Sequence, residues 1–194
     1  MSDAFRAFIA LSRPRAVRDH LASVQRCMSG KGVRARWVQP AGMHLTIKFL
    51  GQMPLEKKEG VMAVLDQAVT GCAPLQLTAA GLGGFPNRRR PRVLWMGLGG
   101  EVGRLRTLQE TVETGLSNLG WAKEKRPFQG HLTLGRAKGR RPMERDTADI
   151  LLRCEPREAL AFETDSLVLY RSRLQPQGAV HDKISAWILN APAH

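Results

Sequence analysis

The chain has 194 residues, a formal net charge of +13 and 43% hydrophobic residues, which predicts one globular domain and argues against a disordered chain. No apolar run approaches the roughly 18 residues of a membrane span, and the arginine-interrupted start of the chain does not resemble a signal peptide. Cys27, Cys72 and Cys154 are widely spaced and odd in number, so we expect no disulfide framework and a reduced, cytoplasmic compartment.

Apolar periodicity predicts strands and helices that alternate along the chain. In chain order we predict a strand at 4–11, a helix at 14–28, strands at 34–39 and 43–50 around a turn at 40–42, a helix at 55–70, strands at 75–82 and 92–98 around a Gly/Pro/Arg loop at 83–91, a helix at 102–119, a strand at 131–135, a helix at 143–153 and strands at 158–171 and 184–189. The short strand pairs favour an α+β fold over a doubly wound parallel sheet. No linker has a distinct composition, so we expect residues 1–194 to form a single domain.

One short motif occurs twice. The segment His44-Leu45-Thr46-Ile47 returns as His131-Leu132-Thr133-Leu134, close to half a chain later. The composition gives about 0.2 His-x-Thr triplets by chance, whereas two occur, and a duplicated half explains them most simply. Residues i and i+2 of a strand share one face, so each motif presents an imidazole and a hydroxyl on one side and two aliphatic side chains on the other.

Two facing copies of this motif suit displacement at phosphorus. An in-line reaction needs a base beside the attacking oxygen and an acid beside the leaving oxygen, and histidine serves in either role near neutral pH. The hydroxyls of Thr46 and Thr133 can hold the non-bridging oxygens. The residues alone do not say which histidine is the acid. Neither motif has a nearby acidic residue, so we expect no metal site.

These residues resemble the two-histidine (2H) phosphoesterase superfamily and, more narrowly, its 2′-5′ RNA ligase family of RNA 2′,3′-cyclic phosphodiesterases. The resemblance extends over nearly the whole chain. Beyond the two motifs it rests on the segments 6–10, 36–38, 48–51, 84–86, 91–95 and 170–172, and on Phe128, Gly135, Arg136, Leu174 and Gly178.

The resemblance implies a bilobal α+β fold, in which two pseudo-symmetric, largely antiparallel sheets flanked by helices enclose a central active-site cleft. It implies hydrolysis of RNA 2′,3′-cyclic phosphate ends to 2′-phosphomonoesters with no metal or other cofactor, and it allows reversible 2′-5′ ligation. By the same analogy His44 is the proton donor and His131 the proton acceptor. Thr46, Thr133 and Arg136 would bind the substrate phosphate.

Strand alternation sets a condition on Arg136. It lies an odd number of residues after His131, so in a regular strand its side chain would point away from the cleft. Arg136 reaches the site only if a β-bulge, with Gly135 as the candidate position, shifts the register.

Two other functions stay open. The protein could be a phosphodiesterase for small cyclic nucleotides or ADP-ribose cyclic phosphate, or an RNA-binding protein without activity. The positive charge and the arginine clusters favour RNA with cyclic phosphate ends as the partner, and two intact motifs favour an enzyme. We expect no membrane association, and a monomer, because no feature of the sequence demands a dimer.

Overall fold

Helices alternate with antiparallel strands along the residues that the computed structural model describes, which are 3–139, 141–143, 146–175 and 178–190. The helices are α1 (Arg15–Gly30), α2 (Lys58–Val69), α3 (Val102–Asn118) and α4 (Thr147–Cys154), with 3₁₀ turns at Pro40–Gly42 and Leu55–Lys57. The strands are β1 (Ala4–Leu11), β2 (Ala35–Trp37), β3 (Leu45–Pro54), β4 (Leu75–Phe85), β5 (Val93–Gly100), β6 (His131–Ala137), β7 (Leu160–Thr164), β8 (Ser166–Gln175) and β9 (Gly178–Ile188). The predicted α+β class is confirmed.

The strands form one antiparallel sheet that consists of two matching halves. Their order is β7-β4-β5-β6-β3-β1-β8-β9, with β2 paired to β6. A pseudo-two-fold axis between β3 and β6 relates β3, β1, β8 and β9 to β6, β5, β4 and β7. The halves meet through the antiparallel pair Leu45–Leu132, which we call the seam. The two predicted sheets are therefore continuous with each other at the seam.

Aliphatic side chains on one face of the sheet pack against the helices. The predicted apolar stripe of α1 is buried, at Val17, Leu21, Val24 and Met28. Both seam leucines are fully enclosed in this core. These leucines hold the two motif strands against the core. Because side chains alternate along a strand, the polar motif residues lie on the opposite face of the sheet. Among the described helices, none is long and apolar enough to cross a membrane.

Three of the predicted strand arrangements differ from the structure. Residues 34–39 and 43–50 do not pair with each other, because β2 is taken up by β6 and Val38 donates its N–H to the Leu134 carbonyl. β4 also continues through Gly83, which the sequence assigned to a loop. A Cβ at Gly83 would lie 2.2 Å from ring atoms of Trp95, so this glycine permits close packing against the neighbouring strand. The segment 158–171 divides into β7 and β8 at Asp165.

The expectation of no disulfide is also wrong. Cys27 of α1 is bonded to Cys154 of α4, and their Cα atoms are 5.8 Å apart. The two cysteines are 127 residues apart in the sequence, and only the packing of α1 beside α4 brings them together. Cys72 is a free thiol, and burial raises its pKa. The inference from cysteine spacing to a reducing compartment therefore does not hold.

A buried ion pair fixes the segment that leads into β6. The ammonium of Lys48, on β3, donates to the Glu113 carboxylate of α3 at 2.6 Å and to the Ala122 carbonyl at 2.8 Å. The same carboxylate accepts the backbone N–H of Glu124 at 2.7 Å. The indole N–H of Trp121 donates to a β3 carbonyl at 3.0 Å. The first half of the sheet thereby holds the approach to the second histidine motif.

The seam predicts a specific loss of stability. Replacing Leu132 by Ala should lower the free energy of unfolding by about 2–5 kcal/mol, because the substitution leaves a cavity where both halves meet. Leu174→Ala is the matched control, since Leu174 is 73% exposed and its truncation should cost less than about 0.5 kcal/mol. Urea unfolding of both variants measures the difference. Equal losses would show that the seam is not a packed part of the core.

Candidate active site

The seam brings the two motifs into one site. Because the middle leucines of the motifs face each other in an antiparallel pair, His44 falls opposite Thr133 and Thr46 falls opposite His131. All four polar side chains are half-buried on the face opposite the core. The structure therefore collects the predicted imidazoles and hydroxyls in one cleft, in the crossed arrangement that a two-fold axis requires.

Both motif strands bulge at the fourth motif residue. Ile47 has no partner in the register of β3 against β1, and Leu134 has none in the register of β6 against β5. The Leu134 carbonyl accepts a hydrogen bond from the Gln25 amide of α1 at 2.7 Å. This extra residue, next to Gly135, reverses the alternation and returns Arg136 to the cleft face. The condition that the sequence set for Arg136 is met.

The His131 ring is held by a hydrogen bond. Its Nδ1 lies 2.8 Å from the Gln129 carbonyl oxygen, which can only accept. The neutral ring therefore carries its proton on Nδ1 and leaves Nε2 free to accept one. The ring of Phe85 lies nearly perpendicular to this ring, at a centroid distance of 5.0 Å. Burial lowers the pKa of His131, the Gln129 hydrogen bond opposes that shift, and the charge of Arg136 adds to it.

The His44 ring is held by aromatic packing instead. Phe8 stacks on it at 4.6 Å between ring centroids, and Tyr170 lies parallel to it at 5.7 Å. The ring of His181 approaches at 4.8 Å and is nearly perpendicular. Burial, followed by the charges of His181 and Arg13, lowers the pKa of His44 to about 3. In the unliganded site His44 is therefore neutral near pH 7.

Arg13 fixes the turn that precedes His44. Its Nε donates to the Met43 carbonyl and its Nη2 donates to the Pro40 carbonyl at 2.8 Å. The guanidinium thus holds the Pro40–Gly42 turn and, through it, the start of β3. Sequence reasoning missed this role, because nothing local distinguishes Arg13 from the other arginines of a basic chain.

The sequence also did not indicate His181, which lies before the strand predicted at 184–189. It lies on β9, in a strand that begins at Gly178 and not at residue 184. The sheet curls so that β9 contacts the Pro40–Gly42 turn, and this brings His181 to His44. The start of this strand could not be predicted from apolar alternation, since β9 is an edge strand in which polar and apolar residues do not alternate regularly.

The cleft carries positive charge. Burial lowers the pKa of Arg136, and the nearby positive charges of Arg36 and Arg6 lower it further. Arg36 pairs with it directly across β2 and β6. Such a concentration of guanidinium groups favours an anionic ligand. Within the described residues no three His, Cys, Asp or Glu side chains are grouped to hold a metal ion, and metal independence stays a prediction.

The sequence matches the LigT-like phosphoesterase family over residues 11–95 and 100–181. The chain belongs to this family. It is 32% identical over 177 residues to an RNA 2′,3′-cyclic phosphodiesterase of Archaeoglobus fulgidus, with 91% of this chain and 96% of that one covered. A protein of the same name from Methanothermobacter thermautotrophicus is 29% identical over 185 residues, covering 95% and 98%.

Solved structures of other proteins have the same fold as this LigT-like phosphoesterase. TT0787 of Thermus thermophilus superposes with a TM-score of 0.76 at 29% identity, covering 96% of this chain and 98% of that one. E. coli LigT complexed with 3′-AMP superposes with a TM-score of 0.74 at 22% identity, covering 96% and 99%, and shows the shared fold. The predicted family, and with it the prediction of a phosphoesterase enzyme, are confirmed.

The packing around His44 predicts its titration in this LigT-like phosphoesterase. We expect the His44 ring signals to stay at their neutral position between roughly pH 5 and 8, because the ring binds a proton only as the pH falls toward its lowered pKa of about 3. Arg13→Gln should raise that pKa by removing a nearby positive charge, whereas Arg104→Gln on α3 should not. Histidine NMR titration, assigned with His44→Gln, measures both. An ordinary titration near pH 6.5 in the unliganded protein would contradict this environment.

Proposed function

We propose that this protein is a metal-independent RNA 2′,3′-cyclic phosphodiesterase, which opens a terminal cyclic phosphate to a 2′-phosphomonoester. The observation that carries the proposal is the seam, which sets His44 and His131 in one cleft, each opposite the threonine of the other motif. The names of the relatives supply the substrate class.

In the proposed reaction, Nε2 of His131 takes a proton from water as the water oxygen attacks phosphorus. The bond between phosphorus and the 3′ oxygen breaks, and His44 gives that oxygen a proton. Placing the base and the acid on opposite sides of the phosphorus suits an in-line displacement. The Thr46 and Thr133 hydroxyls and the Arg136 guanidinium would bind the non-bridging oxygens and stabilise the charge that develops on them.

The donor role of His44 depends on substrate binding. Its pKa is low in the unliganded site because the ring is buried and because His181 and Arg13 are nearby positive or potentially positive groups. A bound phosphodiester anion offsets those charges and favours the protonated ring. We therefore propose that His44 becomes a proton donor only when the cleft holds its substrate, whereas His131 is ready as a base beforehand.

The arginines of the loop after β4 support RNA as the substrate. Arg89 and Arg90 are exposed, and the Asn87 side chain accepts both of their backbone N–H groups and so fixes the loop. Arg88 turns back instead and donates to the Leu82 carbonyl. This loop follows Phe85, which contacts His131, so an RNA that leaves the cleft on this side meets two exposed guanidinium groups.

The same displacement allows ligation. When a 5′-hydroxyl of a second RNA takes the place of water, the product is a 2′-5′ phosphodiester, although the large excess of water favours hydrolysis. A second candidate substrate is a small 2′,3′-cyclic nucleotide, because E. coli LigT, which shares this fold, has been solved with 3′-AMP. A cytoplasmic location and a monomeric state stay predictions.

We expect His44→Ala and His131→Ala each to lower turnover of an RNA with a 2′,3′-cyclic phosphate end by about 100-fold or more, because each removes one proton transfer. The assay contains EDTA and follows formation of the 2′-phosphate by 31P NMR. His20→Ala, on α1, is the matched control and should keep wild-type turnover. Wild-type protein that is inactive in EDTA would refute metal independence. Faster turnover of the mononucleotide than of RNA would favour the second candidate.

A substrate with a good leaving group separates the two roles. In the 4-nitrophenyl 2′-phosphodiester of a 3′-deoxynucleoside, which has no neighbouring hydroxyl to attack the phosphorus, the departing phenolate needs no proton, so the acid becomes dispensable and the base does not. We expect His44→Ala to hydrolyse this ester within about tenfold of the wild-type rate and His131→Ala to stay inactive. The reverse pattern, in which only His131→Ala retains activity, would show that His131 is the acid and His44 the base.

A further inference from the structure

A third imidazole lies against His44. The ring centroid of His181 is 4.8 Å from that of His44 and 4.9 Å from that of Phe8, and the His181 ring stands perpendicular to both. His44 and Phe8 are stacked on each other, so His181 abuts the pair from the side. No step of the proposed reaction uses this residue.

The nitrogens of His181 are differently enclosed. A Cβ on Gly42 would lie 3.8 Å from Cδ2 and 3.9 Å from Nε2, so the turn lies beside that edge of the ring. The other nitrogen, Nδ1, is buried and makes no hydrogen bond within the described part of the chain. A buried nitrogen without a partner is uncommon. Because Nδ1 is shielded from solvent, a group packed beside it is a better partner than a diffusing substrate.

His181 has no equivalent in the other half of the pseudo-symmetric sheet. β9 corresponds to β7, whose sequence Leu160–Thr164 contains no imidazole. The two motif histidines also differ in how they are held. His131 has the Gln129 carbonyl, whereas His44 has only ring contacts among the residues that the structure describes. The extra imidazole therefore accompanies the histidine that is held by ring contacts.

We propose that His181 is a positioning residue, which orients the His44 ring and exchanges protons with it through an imidazole–imidazole hydrogen bond. A centroid distance of 4.8 Å lets a nitrogen of one ring reach a nitrogen of the other after a small rotation. After His44 has given its proton to the departing oxygen, both rings are neutral. His181 then takes up a proton from the solvent on one ring nitrogen, donates the N–H proton of its other nitrogen to His44, and is neutral again. The inference rests on the proposed function, in which His44 is the acid.

The surroundings of the pair limit it to one shared proton. The charged and titratable groups around it come from several elements and are Arg6 of β1, Arg13 after β1, Tyr170 and Arg173 of β8, and Asp182 and Lys183 of β9. Most are cationic, and the Asp182 carboxylate is paired with Arg173 at 2.8 Å. Burial and Arg6 lower the pKa of His181, while Asp182 opposes them. Two positive imidazoles side by side would be unfavourable here.

Chemical rescue tests the proton exchange. His181→Gly removes the ring and leaves space for an added azole. We expect turnover of the cyclic-phosphate RNA to fall about tenfold or more, to recover with imidazole, and not to recover with pyrazole, which has a similar shape but is a far weaker base. Equal rescue by both azoles would show that His181 only fills space, and wild-type turnover in the variant would overturn the proposal outright.

His181→Phe keeps a ring at this position but has no nitrogen, and it serves if the glycine variant folds poorly. We expect it to match the loss of His181→Gly on RNA and to keep near wild-type turnover on the 4-nitrophenyl ester, which needs no proton. Equal losses on both substrates would indicate a structural role alone. His20→Phe is the control, because His20 on α1 also has a buried nitrogen with no hydrogen-bond partner among the described residues and lies outside the ring cluster around His44. If His44→Ala itself keeps its RNA turnover, the proposed function fails; if only the His181 variants do, this inference alone fails.

Discussion

The antiparallel pairing of Leu45 with Leu132 is the constraint on which the rest of this structure depends. Two equivalent motifs that pair in antiparallel fashion through their middle leucines are related by a local two-fold axis, and each histidine then faces the threonine of the other copy. The alternation of a strand does the remainder, because burying the two leucines in the core turns every polar motif residue toward the cleft. The same buried leucine pair thus joins the two halves of the sheet and places the polar motif residues in the candidate active site.

Equivalent positions in the two halves have diverged into different chemistry. The bulge at the fourth residue of each motif returns the fifth residue after the histidine to the cleft face. At that position the second half has Arg136, while the first has Phe49, which is 56% exposed. The hydrogen bond to Gln129 presents His131 as a base. Aromatic packing and nearby cations keep His44 neutral until an anion arrives. A symmetric scaffold thereby holds two histidines whose proton affinities respond differently to substrate.

Local features of the sequence predicted much of this molecule. The spacing of the α1 stripe, the bounds of β1 and the shared face of each His-x-Thr pair follow from periodicities that act over a few residues. Contacts between residues that only tertiary packing brings together could not be predicted in this way. Gly83 was predicted to begin a loop, although it makes room for Trp95 of the next strand. The Cys27–Cys154 bond requires that α1 lie beside α4. Arg13 and His181 join the site only because a turn and a curled edge strand meet at His44.

The most direct test of paired catalysis across the seam is a crystal structure with a nucleoside 2′,3′-cyclic vanadate, in which five-coordinate vanadium imitates phosphorus at the transition state. We expect His44 to hydrogen-bond the apical oxygen that belongs to the ribose and Nε2 of His131 to hydrogen-bond the opposite apical oxygen, with both threonine hydroxyls on equatorial oxygens. A complex in which both imidazoles lie on the same side of the vanadium, or in which one of them makes no contact with it, would contradict the two-histidine mechanism.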